Sequence, residues 1–243
     1  MAIPKKIHYV WMGGKEKPEQ IKRCMKTWKK FLKDYEIIEW NESNFDINSH
    51  PFVKKAYEAK KWAFVSDYVR AYAIYNQGGI YLDTDVLVVD ELDQLLNNRA
   101  FVGYEAPNLP FTAVFGAEAG HPLIKDMLDY YDGLEINFEF SDNNTLSVSK
   151  LLIDKYGCEI GNKDQTLIED IHVYREGVLC NPSEESITVH VFLGSWLNNN
   201  TLKNRIREYL RIRLNSKFRI NMYCKYRDFK YRKENKKKRG KDE

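Results

Sequence analysis

The chain has 243 residues, 43% of them hydrophobic, which is enough for one large core with room for an appendage. No apolar stretch is long enough to cross a bilayer as a helix. Charge is nearly balanced at +3 but uneven: Lys203–Glu243 holds 17 Lys and Arg against 5 Asp and Glu, so an acidic body carries a basic tail.

In chain order, Ile7–Trp11 reads as a strand that ends at Gly13-Gly14, where the backbone can approach a ligand closely and Trp11 offers a ring for a base or for the core. The start before it lacks the apolar core of a signal peptide. Pro18–Leu32 repeats Ile21, Met25, Trp28 and Leu32 at helical spacing, and a second strand follows at Tyr35–Trp40. Helices are expected at Pro51–Lys60 and Trp62–Asn76, the latter stopped by Gly78-Gly79. On that helix Asp67 and Arg70 share a face with Ala63 and Ile74, either as a helical salt bridge or as a clamp for ligand hydroxyls.

Asp83-Thr84-Asp85 comes next, framed by Ile80-Tyr81-Leu82 and Val86-Leu87-Val88-Val89. On a strand, carboxylates two residues apart project to one side and repel unless a cation sits between them. A divalent metal carrying a phosphate answers that need, because hard cations take oxygen ligands. Beyond it, a helix is expected at Glu91–Leu96, strands at Ala100–Tyr104 and Phe111–Ala117, helices at His121–Tyr131 and Leu146–Tyr156, and short strands at Ile171–Tyr174 and Thr188–Val191. The alternation indicates an α/β sandwich with a mixed, mostly parallel sheet, in which ligands bind outside the carboxyl ends of the strands. After the last strand, His190 offers an imidazole that would complete an Asp/Asp/His site suited to Mn²⁺. The scattered Cys24, Cys158, Cys180 and Cys224 form no C-x-x-C pair and read as reduced thiols of a cytoplasmic protein.

In the tail, Leu202, Ile206, Leu210 and Leu214 recur every four residues beside Tyr209, flanked by Arg205, Arg207, Arg211 and Arg213. Further aromatics alternate with Lys and Arg before Lys236-Lys237-Lys238-Arg239. Basic clusters with interleaved aromatics suit an anionic membrane surface, and no specific nucleic-acid partner is expected. The expected division is residues 1–200 as the body and 201–243 as a basic helical tail.

Ile3-Pro4-Lys5-Lys6-Ile7-His8-Tyr9-Val10-Trp11-Met12-Gly13-Gly14, Ser66-Asp67-Tyr68-Val69-Arg70, Gly78 to Val86 and His190 to Trp196 occur in an order that resembles glycosyltransferase family 32. That family includes bacterial capsular polysaccharide transferases and fungal initiating mannosyltransferases, and is similar to the glucosylating clostridial toxins. The resemblance implies a GT-A-type, Rossmann-like mixed sheet flanked by helices, a nucleotide-sugar donor (a UDP-sugar first), a saccharide or lipid-linked acceptor, a bound Mn²⁺ or Mg²⁺, and retention of configuration. It implies base contacts from Val10 and Trp11, sugar contacts from Asp67, Arg70 and Asp83, metal ligands in Asp83, Asp85 and His190, and diphosphate contacts from Ser195 and Trp196. Asp164-Gln165 is the nearest candidate for a group on the β-face of the sugar. The expected location is the inner face of the cell membrane. Two rivals remain: a haloacid-dehalogenase-type phosphatase using Asp83 and Asp85, although Leu87 stands where that motif wants Thr or Val, and an inactive sugar- or membrane-binding module.

Overall fold

The structure, a computed structural model, describes residues 3–132, 134, 144–193 and 201–239. In chain order its strands are β1 (Lys6–Val10), β2 (Glu36–Trp40), β3 (Gly79–Leu82), β4 (Val86–Val88), β5 (Ala100–Gly103), β6 (Val114–Ala117), β7 (Gln165–Thr166), β8 (Ile171–Tyr174) and β9 (Thr188–His190). Seven form one mixed sheet in the order β2-β1-β3-β6-β5-β8-β7, while β4 and β9 pair separately as a two-stranded ribbon. In the large sheet β6 and β7 run against the other strands, so the sheet is mostly parallel in strand direction.

The helices are α1 (Glu19–Phe31), α2 (Pro51–Glu58), α3 (Trp62–Gln77), α4 (Pro122–Asp129), α5 (Asn144–Asp154), the single turn α6 (Glu176–Leu179), α7 (Leu202–Arg211) and α8 (Lys217–Arg239). Side-chain alternation along β3 divides the core between the two faces. Tyr81 joins Val65, Val69 and Ile74 of α3 on one side, while Ile80 and Leu82 join Trp28 of α1 on the other. All four β3 residues are buried, as a central strand covered by helices on both faces requires. α1 also fixes the ribbon: the Trp28 indole donates to the Val86 carbonyl at 2.8 Å, and Thr27 Oγ1 accepts the Val88 N–H at 2.9 Å. The mixed sheet flanked by helices is the fold class expected from the sequence.

Two of the departures from the expectation concern the site. The strand ends at Leu82, and Asp83-Thr84-Asp85 is a tight turn closed by the Val86 N–H on the Asp83 carbonyl at 3.0 Å. The chain turns there because β4 leaves the large sheet to pair with β9. The apolar stripe of the tail also divides: Leu202, Ile206 and Leu210 stay exposed, whereas Leu214 is buried. Leu214, Ile212, Ile220 and Cys224 pack with Leu87, Val89, Val189 and Val191 of the ribbon and its flanks, so the basic segment docks on the body. The stop of α3 is as read: Gly78 has φ +63°, its N–H caps the Ile74 carbonyl at 2.8 Å, and a Cβ there would lie 2.9 Å from the Ala119 nitrogen.

His8 on β1 shows how closely this frame is fitted. It is fully buried, its Nδ1 accepts the Trp40 indole N–H at 3.0 Å, and its Nε2 bonds the Gly78 carbonyl at 2.8 Å. Only the neutral ring protonated on Nε2 satisfies both partners, since a second proton on Nδ1 would face the indole donor. Burial, with Lys6 adding to it, lowers its pKa to about 4. The unfolded chain therefore takes up a proton below its ordinary value of about 6.5 that the folded chain refuses. Stability should fall between about pH 6.5 and 4, with His8 contributing on the order of 3 kcal/mol of the loss. Urea unfolding across that range should show a shallower decline for His8→Gln than for the wild type; equal slopes would mean that His8 is not the proton acceptor.

Candidate functional site

β1, β3 and β5 run in the same direction, so the residues just past their ends share one edge of the sheet. Those residues are Trp11 after β1, Asp83 after β3, and Tyr104-Glu105 after β5. The carboxyl edge is where an open α/β sheet presents ligand-binding groups, and the two carboxylates read from the sequence lie there.

Asp83 continues the Tyr81 side of β3, the side covered by α3, and this delivers it to Arg70. Tyr81 Oη donates to Asp83 Oδ1 at 3.0 Å, and Arg70 Nη2 lies 3.3 Å from the same oxygen and 2.8 Å from Asp67 Oδ1. The guanidinium is held further by the Ser66 carbonyl and Oγ, both at 3.2 Å, and lies 4.7 Å from the centre of the Tyr81 ring. One buried cation thus serves two carboxylates. Burial and the charge of Asp83 hold the Asp67 carboxyl up at about 6 in spite of Arg70. The helical ion pair read from the sequence is real, and its third member, Asp83, makes it part of the site.

Asp85 takes a different partner. The ribbon register sets Val86 opposite His190, and the Val191 N–H donates to the Asp85 carbonyl at 3.0 Å. His190 Nε2 lies 3.3 Å from Asp85 Oδ1, and the Leu193 N–H donates to Asp85 Oδ2 at 2.9 Å. Burial alone would lower the His190 pKa, but the charge and hydrogen bond of Asp85 carry it well above its ordinary value. Burial alone would raise Asp85, and His190 holds it below the usual carboxylate range. Among the described residues, His190 is the basic partner of Asp85.

One donor atom from each of Asp83, Asp85 and His190 lies within 4.8 Å of the other two. Two carboxylate oxygens and an imidazole nitrogen form a donor set fit for a divalent ion of the Mn²⁺ or Mg²⁺ kind. His190 Nδ1 is buried without a hydrogen-bond partner among the described residues, so the ring has donor capacity that the protein leaves unused. The residues present fit a metal.

The family model for the glycosyltransferase sugar-binding region containing the DXD motif matches residues 18–102, which hold Asp67, Arg70, Asp83 and Asp85. This chain carries the DXD region of the glycosyltransferases. The family resemblance read from the motifs is borne out. Over 143 residues the chain is 31% identical to inositol phosphoceramide mannosyltransferase 3 of Schizosaccharomyces pombe, covering 57% of this chain and 40% of that protein. Inositol phosphoceramide mannosyltransferase 2 of the same yeast is 30% identical over 125 residues, covering 50% of this chain and 36% of its own length. The chain thus spans well under half the length of the curated relatives it matches. Among solved structures it is similar to the PaToxG glycosyltransferase, with a TM-score of 0.45, 18% identity and coverage of 63% of this chain and 69% of that one. It is also similar to a glycosyltransferase involved in glycosylation of the major capsid of PBCV-1, with a TM-score of 0.46, 10% identity and coverage of 84% and 97%.

Around the DXD turn the remaining sequence candidates are placed unequally. Val10 is a core residue, packed with Met12, Trp40 and Val65. Trp11 is half-buried, its indole N–H donating to the Lys15 carbonyl at 2.6 Å and Lys17 Nζ 5.4 Å from its ring centre. Gly13 is needed for packing: its φ is +87° and a Cβ there would meet the Trp62 ring at 2.9 Å. Gln165 is not brought to the carboxylate pair. It sits on the edge strand β7, its Nε2 donating to Tyr104 Oη and the Glu159 carbonyl at 2.8 Å each, and its Oε1 accepting the Glu159 N–H at 3.0 Å. The neighbouring Asp164 accepts from the Arg175 backbone and side chain. Ser195 and Trp196 lie outside the described residues.

Two residues that sequence reasoning missed join the site. Glu105 Oε2 lies 4.0 Å from His190 Nδ1, and burial raises its pKa, with Asp83 and Asp85 adding to the rise. Its position just past a strand that runs with β3 was the only available signal. Arg211, read from the sequence as one of the basic residues flanking the apolar stripe of the tail, instead donates to the His190 carbonyl and to Asn181 Oδ1 at 2.6 Å each. Helical spacing placed it among the basic flanks, and nothing local marked it as an inward-facing group.

Proposed function

We propose that this chain is a metal-dependent, retaining glycosyltransferase that moves a hexose from a nucleoside-diphosphate sugar to a saccharide acceptor. The observation that carries the reading is the convergence of Asp83, Asp85 and His190 beside the Arg70–Asp67 pair at the carboxyl edge of the sheet. A divalent ion held there, Mn²⁺ in keeping with the nitrogen donor or Mg²⁺, supplies Lewis-acid charge to the diphosphate leaving group.

The chain's own residues set the geometry. Arg70 fixes Asp67 and Asp83 at one side of the site, where the fork and the two carboxylates can take the hydroxyls of the donor sugar. The Leu193 N–H and His190 hold Asp85 from the opposite side. Trp11, at the neighbouring strand end, would offer its ring to the base. Ser195 and Trp196 are assigned to the diphosphate, where a hydroxyl and an indole N–H would add donors. Retention follows if the acceptor attacks the face that the leaving group vacates, with a leaving-group oxygen taking the acceptor proton. Gln165, held by Tyr104 and Glu159, receives no step in this scheme. Asp83 is tied to Arg70 and Tyr81, which disfavours it as the nucleophile of a phosphatase. All three expected metal ligands are present, against the reading as an inactive module.

The donor panel puts UDP-galactose and UDP-glucose first, and a mannosyl donor is included because both curated relatives are named as mannosyltransferases. The acceptor is taken to be lipid-linked, in capsular or surface polysaccharide synthesis. Donor hydrolysis across such a panel should require Mn²⁺ or Mg²⁺, and Asp85→Asn should lose about 10²–10³-fold in turnover. Near wild-type turnover of Asp85→Asn at saturating Mn²⁺ would defeat the metal assignment.

The tail supports peripheral attachment to an anionic membrane, at the inner face of the cell membrane. No helix among the described residues is long and apolar enough to cross one. Leu202, Ile206, Tyr209 and Leu210 of α7 and Phe218, Tyr226, Phe229 and Tyr231 of α8 are exposed among Lys and Arg. Each basic side chain at such a surface contributes about 1 kcal/mol. Truncation is a poor test, because it would also remove the buried Ile212, Leu214 and Ile220. Binding to anionic vesicles should weaken as salt rises, and Ile206→Asp with Leu210→Asp should reduce it at least about tenfold. Equal partitioning of the intact chain onto anionic and neutral vesicles would remove the electrostatic part of the idea.

A further inference from the structure

The helices after residue 200 do more than cover the ribbon. Arg211, the last residue of α7, spreads its guanidinium between two acceptors: Nη1 bonds the His190 carbonyl and Nη2 bonds Asn181 Oδ1, each at 2.6 Å. Asn181 in turn donates through Nδ2 to the Glu105 carbonyl at 3.4 Å. Glu105 is the residue whose carboxylate lies 4.0 Å from His190 Nδ1. The same guanidinium lies 4.8 Å from the centre of the Phe192 ring, and that ring stacks on the His190 imidazole with centroids 3.9 Å apart. Phe192 holds a left-handed backbone, φ +60°, which a bulky residue adopts only when its surroundings impose it.

The hydrogen bonds of Arg211 go to the backbone and side chain of groups around His190, and it forms none to Asp83 or Asp85. His190 is therefore held on three sides: its carbonyl by Arg211, its ring face by Phe192, and its Nε2 by Asp85. We propose that Arg211 is a positioning residue of the metal site, a guanidinium from the C-terminal segment that sets the rotation of the His190 ring through the His190 carbonyl, Asn181 and Phe192. The proposal rests on the reading of Asp83, Asp85 and His190 as a cation site, and it makes the tail a structural part of that site. A bidentate guanidinium suits the task, since its planar fork fixes two acceptors at a set angle where a lysine would fix one.

The test has a sign that separates positioning from charge. Arg211 is a cation near a cation site, so if only its charge mattered, its removal would tighten metal binding. If it orients His190, its removal weakens binding, and loss of a group that orients a ligand typically weakens metal affinity about 10–100-fold. Mn²⁺ binding to the intact chain, read as free Mn²⁺ by electron paramagnetic resonance with no sugar donor present, should weaken by that amount in Arg211→Ala. Arg211→Lys, which keeps the charge and most of the stem and so guards against a folding failure, should weaken it in the same direction. Arg213→Ala removes an exposed arginine just past α7 whose guanidinium donates to the Tyr209 carbonyl, and should leave the affinity unchanged. Unchanged or tighter Mn²⁺ binding in folded Arg211→Ala or Arg211→Lys would overturn the proposal, as would equal weakening by Arg213→Ala. A wild-type chain that binds no Mn²⁺ would overturn the proposal together with the cation site. Intact Mn²⁺ binding without hydrolysis of any sugar donor would count against the glycosyltransferase reading alone.

Discussion

Two carboxylates two residues apart, both partly buried at one edge of the sheet, need compensating positive charge, and this need organises the structure around them. The fold meets it by dividing the pair. Asp83 goes to Arg70 on α3, and Asp85 goes to His190 on β9. The turn at Thr84 makes the division possible, because it ends pairing in the large sheet and starts pairing in the ribbon. A cation shared by both carboxylates would join two clusters that otherwise have separate partners.

The fold was legible where periodicity and punctuation were strong. The α1 stripe, the Gly78-Gly79 stop and the buried β3 strand follow from spacing and glycine chemistry, and the structure reproduces them. The carboxylate pair was legible as a site because its apolar framing is unusual for a solvated turn. The partition between Arg70 and His190 was not legible. It depends on the register that sets Val86 against His190, a pairing across about a hundred residues that no local pattern encodes. Glu105 was missed for a related reason: its meeting with His190 needs β5 to run with β3, which places Glu105 on the edge that Asp83 shares.

The tail shows how composition can mislead at one residue while informing at its neighbours. Helical spacing put Leu202, Ile206, Leu210 and Leu214 on one stripe, yet the helix ends at Arg211 and the chain turns, so Leu214 is buried while the others stay exposed. Arg211 was counted among basic flanks, where Arg205 and Arg207 remain, but it faces inward to the His190 carbonyl. Charge runs describe an average face, whereas a single inward arginine is fixed by the acceptors that the fold places opposite it. The segment therefore combines an exposed apolar and basic surface with contacts to His190 and its neighbour Asn181.

The central claim is that Asp83, Asp85 and His190 together hold one divalent cation. Anomalous diffraction from crystals grown with Mn²⁺ and a nucleoside diphosphate, recorded on both sides of the manganese edge, addresses it most directly. A single strong anomalous peak within ligand distance of all three side chains is the expected result. Full occupancy of Mn²⁺ elsewhere on the chain, with Asp85 still paired to His190 and Asp83 still paired to Arg70, would contradict the account.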